Sequence, residues 1–598
     1  MVKCKKTVGI NDRIYRATRK TSWVSGTQIA NYLLRDPVID WLNLYYSKHG
    51  LNNKRNLRSG GKVVIKTVPR NSTSSSTSTL MRNGLSFETK IYEDLCAKFG
   101  PNVVNLNGER DISLVLGEIE KQTPIILQAY VKSDRLKLHG VTDILIRSDW
   151  LDRIGGKVID TTPYYVVVDI KWSHMTLCVD GKTIRNEGRF KAYKGQLLIY
   201  NTILGELQNY TPPCAYIMPK SWNIDKKGWE REGYSCYDVL GVVDFENRDS
   251  QYVDDTIKAI NWVRDVRENG SGWSPLHPHI PEMCCNASNT NDEPWGEIKK
   301  RIMDETRDIT RVWMVAPEHR NRAFKKRVKR WDDKRCNTDM LGFTGDKSPR
   351  RKTIQEILNI NQQDREIIRP RTIQDNRCRW QTRYPTDFYI DYETINESYI
   401  KLEDRINIHN SKLLSGYIFM IGVGYEVDGE WKFKSFTCRD YTLDEEKRIV
   451  GEFQNFVKEE KKRVDPQDEY PIRFFHWAHV EKTLLESFFQ RSNTVWRDYC
   501  EIRWVDMCSI FTSNPIVVKG ALTFKLKDIA KALYKAGLIQ TSWTDDKMSD
   551  GMMAMTTAID YYFGDRNRDI MDSIERYNMI DCKVIWEIVA CLRKQTSI

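Results

Sequence analysis

Phe388-Tyr389-Ile390-Asp391-Tyr392-Glu393-Thr394 reads as a strand that is apolar at its start and carries two carboxylates at its end. Side chains alternate across a strand, so Asp391 and Glu393 share a face, and a shared ligand is the simplest reason to place two like charges there. Far downstream, Tyr577-Asn578-Met579-Ile580-Asp581 falls in a helical pattern whose apolar stripe is Ile570, Ile574, Val584 and Ile588. Tyr577 and Asp581 lie on that stripe, and an aspartate on a buried face needs a cation or a set of hydrogen bonds to offset its desolvation. Between the two motifs, strands are predicted at 417–425 and 431–436, joined by the hairpin signal Asp428-Gly429. A long helix from 568 to 592 closes the region. Antiparallel strands followed by alternating helices and strands predict an α/β domain.

Working outward, the N-terminal half holds a second constellation. Tyr164-Tyr-Val-Val-Val-Asp169-Ile-Lys171 predicts a strand that is apolar on both faces before it ends in charge, as a buried central strand should be. Asp169 and Lys171 share a face, and Asp143 lies on the preceding strand, expected around 140–146, in Gly140-Val-Thr-Asp143. Two carboxylates on adjacent strands supply hard oxygen ligands for Mg²⁺, with a lysine close by to position a water against a phosphodiester. Upstream, Phe87, Ile91, Leu95 and Phe99 fall at helical spacing around Glu88. Downstream, a helix over 190–204 puts Gln196 and Tyr200 four apart on one face.

The order of helix with Glu88, strand with Asp143, strand with Asp169 and Lys171, and helix with Gln196 and Tyr200 resembles the PD-(D/E)XK nucleases. The Gln-x-x-x-Tyr spacing resembles their RecB-type branch. The resemblance implies a restriction-endonuclease-like α/β fold over about residues 20–290. In it Asp143 and Asp169, with Glu88 completing the shell, hold Mg²⁺, Lys171 positions the hydroxide, and Gln196 and Tyr200 orient the substrate strand. Many nucleases of this branch also carry an iron–sulfur cluster on one early and three late cysteines. Here Asp36 stands at the early position, and the adjacent Cys284 and Cys285 lack a spaced third partner, so no cluster is expected. His277 and His279 are read with these cysteines as loop residues rather than zinc ligands.

The C-terminal constellation resembles the DEDD exonucleases of the ribonuclease H-like fold, in the subclass whose third motif is Tyr-x-x-x-Asp. That resemblance implies 3′–5′ hydrolysis, with Asp391, Glu393, Glu481 and Asp581 holding Mg²⁺ or Mn²⁺ and Tyr577 orienting or deprotonating the attacking water. Glu481, in Phe474-Phe-His-Trp-Ala-His-Val-Glu481, stands where an aspartate is usual, and Asp506 is its rival. The pairing resembles bacterial proteins that fuse a RecB-type nuclease to a ribonuclease H-like domain.

Charge separates the two halves. Residues 296–383 hold 24 Lys and Arg against 13 Asp and Glu, almost all of the net +12 of the 598-residue chain. Lys325, Lys326, Arg327, Lys329 and Arg330 are its densest part and suit a nucleic-acid backbone. Trp313 and Trp331 nearby are read as core rather than base-stacking residues. Three regions are expected: a RecB-type domain at 1–295, a basic helical connector at 296–383 with helix over 318–335, and an exonuclease domain at 384–598. The serine and threonine run at 71–79 is expected to be a loop. With no Cys-x-x-Cys pair, no secretory leader pattern and no window of about 18 apolar residues, the expectation is an intracellular protein with reduced thiols and no membrane partner. The absence of a Gly-x-x-x-x-Gly-Lys-Ser/Thr loop disfavours a nucleotide-driven helicase. The expected function is a metal-dependent nuclease acting on nucleic acid, DNA rather than RNA. The rival is a nucleic-acid-binding scaffold in which one or both sites are inactive.

Overall fold

The computed structural model describes residues 9–19, 21–46, 75–157, 163–226, 229–345, 347–363, 366–375, 377–401, 416–495, 502–543, 550–564 and 566–596. The chain divides into two compact units, Met1–Thr306 and Arg307–Ile598.

The first unit is built on an eight-stranded sheet. Its short strands are β1 (Val24–Ser25) and β2 (Val103–Asn105), and its middle is β3 (Ile125–Ser133), β4 (Leu138–Arg147), β5 (Tyr165–Leu177) and β6 (Cys214–Lys226), with β7 (Trp229–Gly233) and β8 (Gly241–Asp244) beside β6. β3, β4 and β5 run antiparallel, and β5 and β6 run parallel. Alternation sorts the side chains of β5 into two layers. Val166, Val168 and Ile170 share a core with Ile91, Tyr92 and Leu95 of the helix Ser75–Phe99. Tyr165 and Val167 share the other core with Leu197, Leu198 and Ile203 of the helix Phe190–Leu207 and with Val253 and Ile260 of the helix Gln251–Asn269. Asp169 and Lys171 continue that second face.

The polar run at 71–79 is not wholly a loop, because the helix begins at Ser75, and residues 71–74 lie outside the described residues. Once Ile91, Tyr92 and Leu95 are docked, adding turns upstream requires no new nucleation, so polar residues continue the helix.

The second unit opens its strands with the short β9 (Ile368–Arg369), paired antiparallel with β15 (Val517–Val518), and holds a five-stranded sheet in the order β12-β11-β10-β13-β14, formed by β10 (Asp387–Ile395), β11 (Tyr417–Val427), β12 (Glu430–Thr437), β13 (Ile472–His476) and β14 (Ile502–Asp506). β10, β11 and β12 are antiparallel, while β10, β13 and β14 are parallel. Asp428 and Gly429 both take positive φ, 54° and 84°, which matches the twist of a two-residue hairpin. The helix Arg568–Thr596 crosses the sheet, with Ile574 and Tyr577 in one core and Val584, Ile588 and Leu592 in another. Its end is fixed to the start of β10, where buried Asp387 accepts from Arg473 Nε at 2.7 Å and from Arg593 Nη2 at 2.8 Å.

Residues 296–383 do not form the separate helical connector expected from the sequence. The helix Gly296–Thr306 belongs to the first unit, where Ile298 and Ile302 join its core. From Arg307 onward, Ile309, Val312, Val315, Ile354, Ile357 and Leu358 share a core with Ile510, Ile516, Ile529 and Leu533. Apolar residues at helical spacing had a partner surface further along the chain, and burying them outweighs the charge that dominates the segment's composition. The helix expected over 318–335 also stops early, at Lys325. Val328 N–H donates to Ala323 O at 3.0 Å and its fully buried side chain turns the chain back into the core, with Arg327 at φ 61°.

Candidate functional site

Register places the first constellation. Ile144 lies opposite Val168 across β4 and β5, so Asp143 and Asp169 come one step beyond that pair. Asp143 Oδ2 accepts from Ile170 N–H at 2.6 Å, and Asp169, fully buried, is ion-paired with Lys171 Nζ at 2.6 Å. Gln196 Nε2 donates to Asp169 Oδ1 at 3.4 Å and to Tyr200 Oη at 3.3 Å. Burial and the adjacent Asp169 hold the Asp143 carboxyl well above its ordinary range. Burial also raises Glu88, opposed by the positive charge of Lys171 and reinforced by Asp169, which places Glu88 in the same electrostatic cluster. Burial would lower Lys171, but Asp169 and Asp143 overcome it and keep the ammonium charged. All six sequence-selected residues therefore gather midway along β4 and β5, just past their Ile144–Val168 pair. Two glycines make the room: a Cβ on Gly140 would collide with the Tyr200 ring, and one on Gly26 would crowd Gln196 and Tyr200 at 3.0 Å.

The second constellation is tighter. Among the described residues, Asp391, Glu393 and Asp581 are the one group of three carboxylate, imidazole or thiol ligands whose donor atoms all lie within 4.8 Å of one another. Glu88, Asp143 and Asp169 do not meet that spacing. Asp581 Oδ1 is buried and receives no hydrogen bond among the described residues, the condition a cation would relieve. Burial pushes Glu393 up to about 8 and Asp581 up to about 7, with their mutual repulsion adding for Glu393, and Asp391 is pushed well above the carboxylate range. Oxygen donors that cannot all ionise together without a counter-charge fit a hard divalent cation such as Mg²⁺ or Mn²⁺. Burial and the adjacent Asp581 carboxylate hold the Tyr577 hydroxyl above the ordinary phenol range, so it stays protonated.

Glu481 stands in the first turn of the helix Val480–Ser492, buried, and its charge acts on both Asp391 and Asp581. His476 Nδ1 lies 3.1 Å from Glu481 Oε2. Asp506 is engaged differently: its Oδ1 accepts from Ser509 N–H and Ala478 N–H, both at 3.0 Å, as the N-cap of the helix Met507–Ser513.

Sequence reasoning missed three residues here. Asn578 Nδ2 donates to Asp391 Oδ2 at 2.8 Å and to its carbonyl at 3.2 Å, which fixes the first ligand. Gly422 on β11 admits Asn578, since a Cβ there would collide with its side-chain oxygen. Glycine inside an otherwise apolar strand was the available signal. Lys527 was the third, with no motif to mark it.

Lys325, Lys326, Arg327, Lys329 and Arg330 are all exposed around the buried Val328. Arg330 is held by Asp332 at 2.7 Å, and the Lys329 ammonium lies over the Phe324 ring, 4.7 Å from its centre. Trp313 stacks edge-on against Phe524, and Trp331 packs against the second-unit core. At the position compared with a cluster cysteine, Asp36 is fully buried, ion-paired with Lys299 at 2.5 Å and bonded by Asn286 N–H and Asn289 Nδ2, both at 2.9 Å. Cys284 and Cys285 are buried nearby in sequence to those partners.

A family model of the RNase H superfamily matches residues 411–593, so the C-terminal part of the chain carries a ribonuclease H-like domain, the kind found in nuclease-type hydrolases. The match covers Glu481, Tyr577 and Asp581 and starts after β10 with Asp391 and Glu393. No curated protein and no solved structure matches the chain. Among the described residues, no helix is long and apolar enough to cross a membrane.

Proposed function

We propose that the protein is a metal-dependent nuclease with two sites, a 3′–5′ exonuclease-type centre at Asp391, Glu393, Glu481 and Asp581 and a RecB-type PD-(D/E)XK centre at Glu88, Asp143, Asp169 and Lys171, with DNA the preferred substrate. The observation that carries the reading is the convergence of Asp391, Glu393 and Asp581 within 4.8 Å, with Asp581 inside the segment that the RNase H superfamily model matches. A divalent cation held there would supply Lewis-acid charge to a phosphodiester. The remaining roles belong to this chain. Asn578 holds the Asp391 rotamer, His476 orients Glu481, and the Tyr577 phenol presents a hydroxyl that orients the attacking water. In the first centre, Lys171 is held charged beside Asp169 to position the nucleophile, and Gln196 and Tyr200 line its approach. The exposed cations around Val328 bind backbone phosphates without reading bases.

The first centre also supports a second reading. Its carboxylates lack the close spacing of the second centre and Lys171 is paired directly with Asp169, as in a nucleic-acid-binding domain whose catalysis has lapsed. Cleavage of end-labelled single- and double-stranded DNA and RNA with Mg²⁺ or Mn²⁺ separates the two readings. Two active sites require that Asp169→Ala and Asp391→Ala each remove a different product ladder and that the double mutant be inert. If only Asp391→Ala has an effect, the first unit is a binding module. Salt-sensitive binding with no cleavage by the wild type would sink the enzyme reading altogether.

A further inference from the structure

Lys527 sits in the helix Leu526–Lys535, which is anchored by buried Ile529, Ala530 and Leu533. Of the four lysines in and beside this helix, Lys525, Lys531 and Lys535 are exposed, whereas Lys527 is partly withdrawn from solvent. Its ammonium lies 4.6 Å from the ring centre of Tyr577 and 5.4 Å from that of Trp543. Tyr577 is the tyrosine beside Asp581, and the charge of Lys527 acts on Asp391, Glu393 and Asp581 alike. A flexible lysine on a solvated helix gains the most hydration by pointing outward, as its three neighbours do. This one is drawn across an aromatic face to the rim of the carboxylate cluster.

Charge balance shows what a cation there can do. The centre is lined by carboxylates, and a phosphodiester brings one more negative charge to them. A fixed ammonium beside the cluster offsets that charge without occupying a cation's ligand set, and three rotatable donors suit a non-bridging oxygen. Resting on the nuclease reading of this centre, we propose that Lys527 is a further catalytic residue, whose ammonium binds a non-bridging oxygen of the phosphate being cleaved, with Tyr577 and Trp543 holding the side chain in place.

The test uses the full chain as wild type, Lys527→Met, Lys527→Arg and Asp391→Asn. Thymidine 5′-monophosphate, which presents the phosphate of the product, is titrated calorimetrically in Ca²⁺. Mn²⁺ affinity is read separately by electron paramagnetic resonance without nucleotide, and thermal melts establish folding. Lys527→Met is expected to weaken nucleotide binding about tenfold or more, the scale of one charge-assisted contact, while Mn²⁺ binds as tightly as before or tighter. Lys527→Arg should recover most of the nucleotide affinity. Equal nucleotide affinity in wild type and Lys527→Met overturns the proposal, and so does a parallel loss of Mn²⁺ affinity, which would make Lys527 a support for the carboxylates. If Lys527→Met does not fold, Lys527→Gln is judged on the same readings. Cleavage that is lost in Asp391→Asn but unchanged in Lys527→Met removes this proposal and keeps the nuclease reading. Wild type that binds no nucleotide in any metal overturns both.

Discussion

Asp391 is held by Asn578, and Asn578 fits because residue 422 has no side chain. Gly422→Ala therefore acts through a neighbour: the added methyl must push Asn578 off Asp391 and leave a buried carboxylate unsupported. Losing an outer partner of a metal ligand typically costs 10–100-fold in affinity or activity. The expected outcome is a protein that still folds, with Mn²⁺ affinity down by about that factor. Unchanged affinity would mean that Asn578 does not position the ligand. The sequence displayed the carboxylates because their period-two spacing is a local property. It hid Asn578 and Gly422 because their relation is a contact between strand and helix that no spacing encodes.

The same carboxylates set a pH dependence. Glu393 is pushed up to about 8 and Asp581 to about 7, against about 4 for such groups in an unfolded chain. Between those values the native state holds protons that the unfolded chain has released, so stability is full below about pH 4 and declines as pH rises through 7 to 8. In chelator, the melting temperature should fall from about pH 5.5 to about pH 8.5, and added Mg²⁺ should raise it most at the alkaline end. Glu393→Gln should flatten the decline. A flat profile in chelator for the wild type would argue that these groups are not strained by burial.

At the scale of elements, patterns that depend on near neighbours were legible and patterns that depend on distant partners were not. The Asp428-Gly429 hairpin and the apolar stripe of the last helix could be read directly, since turn geometry and helical period are written in a few adjacent residues. The basic helix was read too long because Val328 breaks it only by finding a core made elsewhere in the chain. Element context also sets Glu481 apart from Asp506: one carboxylate stands in the first turn of a helix and acts on the cluster, and the other caps a helix through two backbone donors. Asparagine caps a helix as well as aspartate does, whereas an amide is a poor substitute for a carboxylate ligand. Asp506→Asn should thus keep both stability and cleavage, with stability changed by less than about 1 kcal/mol. Glu481→Gln should lose metal-dependent cleavage. The reverse result in end-labelled assays would reassign the fourth carboxylate to Asp506.

For the whole molecule, the boundary of the second unit is set by who shares a core, and that boundary yields the sharpest difference between reading composition and reading packing. Composition places the start of the ribonuclease H-like domain near 384, where the basic excess ends. Packing places it at Arg307, because Ile309, Val312, Val315, Leu341, Ile354, Ile357, Leu358 and Ile360 are each almost fully buried in one core with the C-terminal residues. Each such side chain contributes roughly 1.5–3 kcal/mol on burial, so removing eight forfeits about 12–24 kcal/mol, as much as or more than the about 5–15 kcal/mol by which a typical domain is stable. A fragment of residues 384–598 should therefore fail to show a cooperative melt and should expose apolar surface to a dye such as anilinonaphthalene sulfonate. A fragment of residues 307–598 retains that core, the carboxylate cluster and Lys527. It should melt cooperatively, bind Mn²⁺ and keep the cleavage that Asp391→Ala removes from the full chain. A shorter fragment that melts as sharply as the longer one would show that the basic segment only rests on the domain, and its charge would then be the better guide to its role than its core.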